Sequence, residues 1–414
     1  MLKSGVVVTL MQNNFKYDDI ARTLGHIDYD RFIKLPPMIP FADEVVAYLT
    51  SLSRVLAKDP RTRIYPDVAT FSFFCRKANI LQVKKKFGQD DEIKLGRGII
   101  FHIAPSNVPV NFAYSLVAGL LSGNSNIVRI PSKNFEQVEI IIDSINTLAD
   151  EGQHRVISER VVLVAYDRSH IATKHFSSIC DVRIIWGGDE TIRQIREHAL
   201  RPRAFDITFS DRYSICLINA NNFVDELDPK KIAMGFYNDT FLFDQNACTS
   251  PHLVLWSGAV DNVQKAQQAF WGNLQNIAES NYDVQPIIAV DKLTSFYNQA
   301  IQMNNIKLVP KQDNLLWRVV LNELSHDIDN FRCNSGYFSE YHVQDMGELS
   351  GVINNKYQTL AYYGFSKDQL VDFIDQLKPL GIDRIVPIGR TTDFSLIWDG
   401  YNLINSLSRI IEIK

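Results

Sequence analysis

The stretch Gly98–Asn134, GIIFHIAPSNVPVNFAYSLVAGLLSGNSNIVRIPSKN, decides the architecture. It opens on a β-branched apolar run, GIIFHIA. A turn rich in proline and asparagine follows, then PVNFAYSLVAGLLSG with apolar residues at helical spacing, then a second apolar run, SNIVRI. A short buried strand, a helix and another buried strand make a parallel βαβ unit. The alternation continues downstream. NFEQVEIIIDSINTLADEG predicts a helix, RVVLVAY a strand, HIATKHFSS a short helix, DVRIIW a strand, DETIRQIREHAL a helix and YSICLI a strand. Such runs imply a parallel sheet covered on both faces, a doubly wound α/β architecture of the nucleotide-binding type.

Working outward, residues 1–95 read as a mostly helical part. FADEVVAYLTSLSRVLAKD and DVATFSFFCRKANILQVKKKF each show helical periodicity, and Cys75 falls on the apolar side of the second as core filler. Residues 96–220 form the cofactor-binding α/β domain. Residues 221–390 form a second α/β domain, with DELDPKKIAMGFYNDTFLF and AVDNVQKAQQAFWGNLQNIAE as helices and HLVLW, WRVVLNEL, TLAYYG and RIVPIG as strands. Residues 391–414 are a tail that either returns to the cofactor domain or supplies an oligomerisation strand.

The bulk numbers narrow the function classes. A chain of 414 residues with 46% hydrophobic and 22% charged residues fits a multidomain soluble protein. A net charge of −4 gives no basic stripe for nucleic acid. No apolar run reaches the length of a membrane span, and the start MLKSGVVVTLMQNNFKYDD lacks the pattern of a signal peptide. The five cysteines are scattered without a CxxC pair, so neither a disulfide framework nor a metal site is expected, and a cytoplasmic setting fits.

Several residues are candidates for chemistry. A GxGxxG loop after the first strand is missing. RIIWGGDETIRQI instead ends a strand, places Gly187 and Gly188 in sequence and starts a helix, which suits either a phosphate-binding turn or a plain turn capped by Asp189. IVRIPSKN carries Arg129, Ser132 and Lys133 past the end of another strand, where they suit a ribose or a solvated loop. Cys248, in FLFDQNACTSPHLVLW, precedes a strand and reads as core filler or as a nucleophile. His102 reads as a hydrogen-bonded core histidine or a proton donor. His252 reads as packing or as a partner of Cys248. The acidic run Glu340, Asp345, Glu348 reads as a solvated face, with Glu340 open to a ribose contact.

HIAPSNVPVNFAYSLVAGLLSGNSNIVRIPSKN resembles the aldehyde dehydrogenase superfamily segment in which a Pro-x-Asn-x-Pro turn leads into a helix, a Gly-Asn turn, a strand and a Pro-Ser. With KYQTLAYYG, GIDRIVPIG and WDGYNLINSLSR in order behind the cysteine segment, the chain more narrowly resembles the LuxC-type acyl-CoA reductases from about Gly96 to Arg409. The resemblance implies two doubly wound α/β domains with a small oligomerisation element, and a homo-oligomer. It implies a fatty aldehyde made from an acyl thioester, either acyl-CoA or protein-bound, through an acyl-cysteine. The reductant implied is NADPH, and an acyl-activating enzyme is an implied partner. Carried over by position, Cys248 is the nucleophile and Asn107 the oxyanion donor. Gly187 and Gly188 meet the cofactor pyrophosphate, and Ser132 lies near the adenosine ribose. Two departures stand out. The superfamily lysine before Pro-Ser is Ile130 here, leaving Arg129 or Lys133 for that contact. Thr208 falls where oxidising members carry a glutamate base, which suits a reductase because a base would promote hydrolysis. Two other readings stay open: an aldehyde dehydrogenase of another branch, and an acyl-carrying subunit without catalysis of its own.

Overall fold

The structure, a computed structural model, describes residues 20, 22, 29–87, 92–167, 171–310 and 313–414. The expectation drawn from residues 1–19 lies outside the described residues. Contacts divide the chain into two units, 1–210 with 401–414, and 211–400. The joints expected at 220/221 and 390/391 thus differ from those of the two compact units.

The first unit begins with helices Asp43–Lys58, Pro66–Phe74 and Lys77–Phe87. The single helix expected over 67–87 is two helices. Asn79 Nδ2 donates to the Phe74 carbonyl (2.8 Å), taking up one of the carbonyls that a helix end leaves without a partner. Cys75, at the break, is buried, and that burial pushes its thiol pKa up.

Strands β1 (Ile93–Gly96), β2 (Ile99–Ile103), β3 (Ser125–Arg129), β4 (Val161–Val164), β5 (Val182–Trp186) and β6 (Phe205–Phe209) follow. Of these, β2 to β6 form a parallel sheet in the order β4-β3-β2-β5-β6. Strands β2, β4 and β5 are buried at every position, as a sheet covered on both faces demands. Helices Asn111–Leu121, Glu136–Asp150, Ala172–Ile179 and Asp189–Arg196 are its crossovers. Chain order reverses between β2 and β5, and open α/β sheets leave a ligand crevice at the carboxyl ends of such neighbours. The tail returns to this unit: Ser408–Ile411 pairs antiparallel with β1, and Leu403, Ile404 and Leu407 are buried.

The second unit holds β7 (Tyr213–Asn219), β8 (Pro251–Ser257), β9 (Lys307–Leu308), β10 (Trp317–Val320), β11 (Tyr337–Val343), β12 (Tyr357–Tyr363) and β13 (Arg384–Pro387). They form one sheet in the order β13-β12-β7-β8-β11-β10-β9, parallel except for β9. The run YSICLI, expected to close the first sheet, is β7 at the centre of this one. The first sheet closes on β6, whose FDITF carries Asp206. That carboxylate is paired across the strands with buried Arg183 of β5 at 2.7 Å. One apolar cluster includes Ile215, Leu253, Val319 and Leu360; a second includes Cys216, Trp256, Phe270 and Phe338. Alternate residues of the central strands thus feed separate clusters, as side chains pointing to opposite faces of a sheet do.

Candidate active site

Cys248 sits just before β8, on a loop fixed from several sides. Helix Pro229–Thr240 runs into a short turn at Phe241–Phe243, and Asp244 and Gln245 then take left-handed backbone angles (φ 51° and 59°). Such angles are held only where the surroundings dictate them, and the Gln245 side chain supplies that hold. Its amide donates to the Pro251 and Tyr337 carbonyls (3.0 Å each), and its oxygen accepts from the Gly336 and Tyr337 N–H groups (2.9 and 3.2 Å). Ser250 Oγ donates to the Asp239 carbonyl at 2.7 Å. Ser214, at the start of β7, donates to the Cys248 carbonyl (2.6 Å) and accepts from the Thr359 N–H of β12 (3.2 Å). The cysteine is therefore pinned at the amino ends of three adjacent parallel strands, β8, β7 and β12.

The thiol is half-buried, and its surroundings are polar and charged. Burial pushes its pKa up to about 12 and the Asp399 carboxylate adds to that. Opposing these are the Gln358 side-chain amide, the Arg212 cation, and the cysteine's own backbone N–H. At rest the group is a protonated thiol, and the residues that favour the thiolate are already in place. Gln358 also donates through Nε2 to Asp399 Oδ1. Arg212 ion-pairs with Asp383 and approaches Asp399 at 3.9 Å. Arg384, whose guanidinium is held by the Thr391, Arg390 and Asp393 carbonyls, lies within electrostatic reach of Cys248.

His252 does not serve Cys248 as a base. It is buried in β8 and stacks on Tyr213 (5.7 Å, 19°); burial and then Arg332 push its pKa down to about 3. Glu340 is likewise no ribose contact or solvated acid. It is fully buried in β11, where its carboxylate accepts from Arg318 (2.7 Å), Trp271 (2.9 Å), Trp256 and Gln267 (3.1 Å each). Cys216 is buried in β7.

The remaining candidates belong to the first unit, where the four loops after β4, β3, β2 and β5 stand side by side at the carboxyl edge. Asn107 is exposed on the loop after β2. Gly187 and Gly188 follow β5, and a side chain at Gly188 would meet open space. Gly188 is the helix N-cap and Asp189 the first helical residue, so Asp189 is not the cap its position suggested. Ser132 and Lys133 line a cavity of about 300 Å³ together with Asn134, Glu139, Tyr166 and Asp167. Arg129 stacks on the Tyr166 ring at 4.9 Å and donates to the Tyr166 carbonyl (3.2 Å). His102 is a core histidine between Ser115 Oγ (2.7 Å) and Asn126 Oδ1 (3.0 Å), and burial lowers its pKa to about 4. Thr208 lies half-buried in β6, opposite Ile185.

A family model described as acyl-CoA reductase (LuxC) matches residues 78–410. The chain belongs to the LuxC family. Two curated relatives carry the name long-chain acyl-protein thioester reductase. The one from Aliivibrio fischeri is 23% identical over 305 residues, covering 72% of this chain and 60% of the relative. The one from Photobacterium phosphoreum is 25% identical over 325 residues, covering 76% and 62%. This LuxC-family chain therefore spans about 60% of the length of those relatives. Among solved structures it is similar to a Thermus thermophilus 1-pyrroline-5-carboxylate dehydrogenase mutant (TM-score 0.63, 14% identity, 92% of this chain and 83% of that one). It is also similar to an NADP-dependent glyceraldehyde-3-phosphate dehydrogenase from Bacillus halodurans in complex with NADP (TM-score 0.61, 15% identity, 93% and 88%). The fold is that of the aldehyde dehydrogenases. The LuxC resemblance named Cys248 but not the groups around its sulfur. Gln358, Asp399 and Arg212 lie far from it in sequence, and only their place in two quoted motifs, KYQTLAYYG and WDGYNLINSLSR, and in DITFSDRYS for the arginine, was available as a signal.

Proposed function

We propose that this chain reduces a long-chain acyl thioester to a fatty aldehyde with NADPH, with Cys248 as the nucleophile. The observation that carries this reading is Cys248 itself: a half-buried thiol on an over-determined loop at the amino ends of β7, β8 and β12, with its carbonyl held by Ser214. A cysteine kept only as core filler, such as Cys216, is instead fully buried within an apolar cluster.

In the proposed reaction the Cys248 sulfur bonds to the thioester carbonyl carbon, the donor's C–S bond breaks, and the proton lost by Cys248 ends on the departing thiolate. The Cys248 backbone N–H, next to the attacking sulfur in the chain, is the first proposed donor to the oxyanion on the attacked carbon. The Asn107 side-chain amide is the second proposed donor, by family position. Ser132, Lys133 and the Gly187–Gly188 helix start would hold a nicotinamide dinucleotide. The cavity offers hydroxyl and ammonium groups suited to a ribose and its phosphate, and carboxylates that suit only the ribose hydroxyls. That cofactor, when bound, supplies the hydride that takes the acyl group to the aldehyde level. The relatives' names point to a protein-bound acyl group as the donor and the family description to acyl-CoA, so both belong in the test, as does an acyl-activating enzyme as partner. A homo-oligomer and a cytoplasmic site of action complete the proposal.

The test is intact-protein mass spectrometry after incubation with long-chain acyl-CoA or an acylated protein, without cofactor. An acyl adduct on Cys248, absent from Cys248→Ala and discharged as aldehyde when NADPH is added, is the expected result. Asn107→Ala should slow adduct formation by about 10²–10³-fold, the usual effect of losing one oxyanion donor. Absence of an adduct with every donor, or discharge as free acid, overturns the proposal.

A further inference from the structure

Cys248 and Thr249 are the central residues of a turn closed by the Ser250 N–H, which donates to the Ala247 carbonyl at 2.9 Å. Neither has a positive φ, and no peptide bond among the described residues is cis. A hydrogen-bonded turn of that kind is type I, with both central residues in the right-handed helical region. Consecutive residues in that conformation point their N–H groups the same way, as the first residues of a helix do. No described residue accepts from the Thr249 N–H, and the Cys248 N–H meets no carbonyl. Thr249 is only 3% exposed. A buried N–H without a partner is rare and costly unless a ligand takes it up.

The Cys248 carbonyl and the Thr249 N–H belong to one planar trans peptide, so they point in opposite directions. Ser214 Oγ donates to that carbonyl at 2.6 Å and so aims the Thr249 N–H away from β7. Strand register explains why a side chain does this. Pro251 and Leu253 of β8 pair with Ser214 and Ile215, which leaves His252 opposite no residue of β7. On the other side, Tyr357 and Leu360 of β12 pair with Tyr213 and Ile215, which sets both Gln358 and Thr359 against Ser214. Extra residues of this kind interrupt the ladder and re-aim strand ends beside active sites. Pro251, the first residue of β8, has no N–H to give. The fully buried Ser214 hydroxyl stands in for the lost ladder bonds, accepting from the Thr359 N–H (3.2 Å) while it donates to Cys248.

We propose that the Thr249 N–H is a further catalytic donor to the oxyanion formed on the thioester carbon, and that Ser214 is the positioning residue that aims it. The inference rests on Cys248 being the nucleophile. As the sulfur bonds to the carbonyl carbon, the C=O π pair moves onto oxygen. It returns to re-form C=O when the donor's C–S bond breaks, and the thiol proton leaves on the departing thiolate. The oxyanion is held two bonds from the sulfur, within the span of N–H groups on the nucleophile and on the residue after it. Acyl-transfer nucleophiles on other folds use the same pairing of a nucleophile with the N–H that follows it. The Ser214 bond polarises the Cys248–Thr249 peptide, which makes its N–H a stronger donor.

The test replaces Thr249 in the full chain by α-hydroxyisovaleric acid, which exchanges the N–H for an ester oxygen. Thr249→Val, which keeps the N–H, is the reference. Two rates are read on Cys248 by peptide mass spectrometry: acyl transfer from long-chain acyl-CoA or an acylated protein without cofactor, and alkylation by iodoacetamide. Alkylation displaces iodide at a tetrahedral carbon and forms no oxyanion. Loss of an oxyanion donor therefore slows acyl transfer alone, whereas a loosened loop changes both rates. The ester should slow acyl transfer by about 10²–10³-fold relative to Thr249→Val and leave alkylation unchanged. Ser214→Ala should slow acyl transfer by about five-fold, the scale of one neutral hydrogen bond, again without changing alkylation. Equal acyl transfer in the ester-bearing chain and Thr249→Val overturns the proposal, as does a parallel loss of both rates. Should the ester-bearing chain fail to fold, unchanged acyl transfer in Ser214→Ala overturns it equally. If wild-type Cys248 is alkylated but no donor ever acylates it, the functional reading falls and takes this inference with it. Acyl transfer to wild type that ignores the missing N–H sinks the inference alone.

Discussion

Glu340 and Cys248 show how one residue's neighbours decide its meaning. The Glu340 carboxylate has no contact with solvent and accepts from a guanidinium, two indoles and an amide. Removing it strands Arg318 as an unpaired cation and leaves the Trp256 and Trp271 N–H groups without their acceptor. Breaking a buried pair in this way destabilises by about 3–5 kcal/mol, so Glu340→Ala should lower the urea midpoint strongly. Native alkylation of Cys248 should persist in that variant wherever it remains folded, because the groups bonded to Glu340 lie on β8, β10 and a helix rather than on the cysteine loop. An unchanged midpoint would show that the network is not stabilising. From sequence, Glu340 sat in an acidic run and read as surface, since no local pattern announces four donors drawn from three other elements. Cys248 was legible as a candidate because its position in a family pattern survives without its neighbours. Gln358 and Asp399 were not, because their relation to it exists only after the sheet has formed.

Helix Pro229–Thr240 ends with Asp239, which ties it to the turn after β13: the carboxylate accepts from the Gly389 N–H (2.6 Å) and the Thr391 N–H (3.0 Å). Burial outweighs those bonds and raises its pKa from 3.8 to about 6. Because the folded pKa lies above the unfolded one, the folded form binds this proton more tightly. The stabilising contribution is complete below about pH 4 and is lost as pH rises through about 6, with a difference of about 3 kcal/mol between the two ends. Thermal melts of wild type and Asp239→Asn across that window should therefore diverge, the wild type alone losing stability from this source. Parallel curves would rule it out. Other elements explain what pattern reading can and cannot see. The fully buried β7 reads the same in either sheet, so its run named a strand but not its neighbours. Helix Pro286–Gln302 escaped notice because its polarity is inverted. Its buried residues are Lys292, bonded to the Asn314 carbonyl at 2.6 Å, and Gln299, bonded to Ser339 and Tyr337. Ile287, Val290, Tyr297 and Ile301 are exposed on it. A periodicity argument assumes apolar residues face the core, and here they do not.

Across the whole molecule, the two compact units differ in how the chain closes them. The second is continuous from Asp211 to Gly400, and the two apolar clusters of its seven-stranded sheet are built from its own residues. The first is discontinuous and needs the last residues of the chain. Ser408–Ile411 completes a two-stranded ladder with β1, Asn124 Nδ2 donates to the Leu407 carbonyl (2.9 Å), and Arg97 Nε donates to the Ser406 carbonyl (2.7 Å). Leu403, Ile404 and Leu407 are each at most 1% exposed. Truncating one such side chain to alanine typically costs about 2–5 kcal/mol, so omitting all three should exceed the margin of an ordinary domain. Residues 211–400 expressed alone should thus melt cooperatively. Residues 1–210 alone should not, and joining 401–414 to them through a flexible linker should restore a cooperative melt. Leu407→Ala in that joined fragment should weaken it again. Circular dichroism melts of the four fragments decide the matter: a cooperative transition in 1–210 without the tail would mean that the returning strand and its buried leucines ornament the first unit rather than close it.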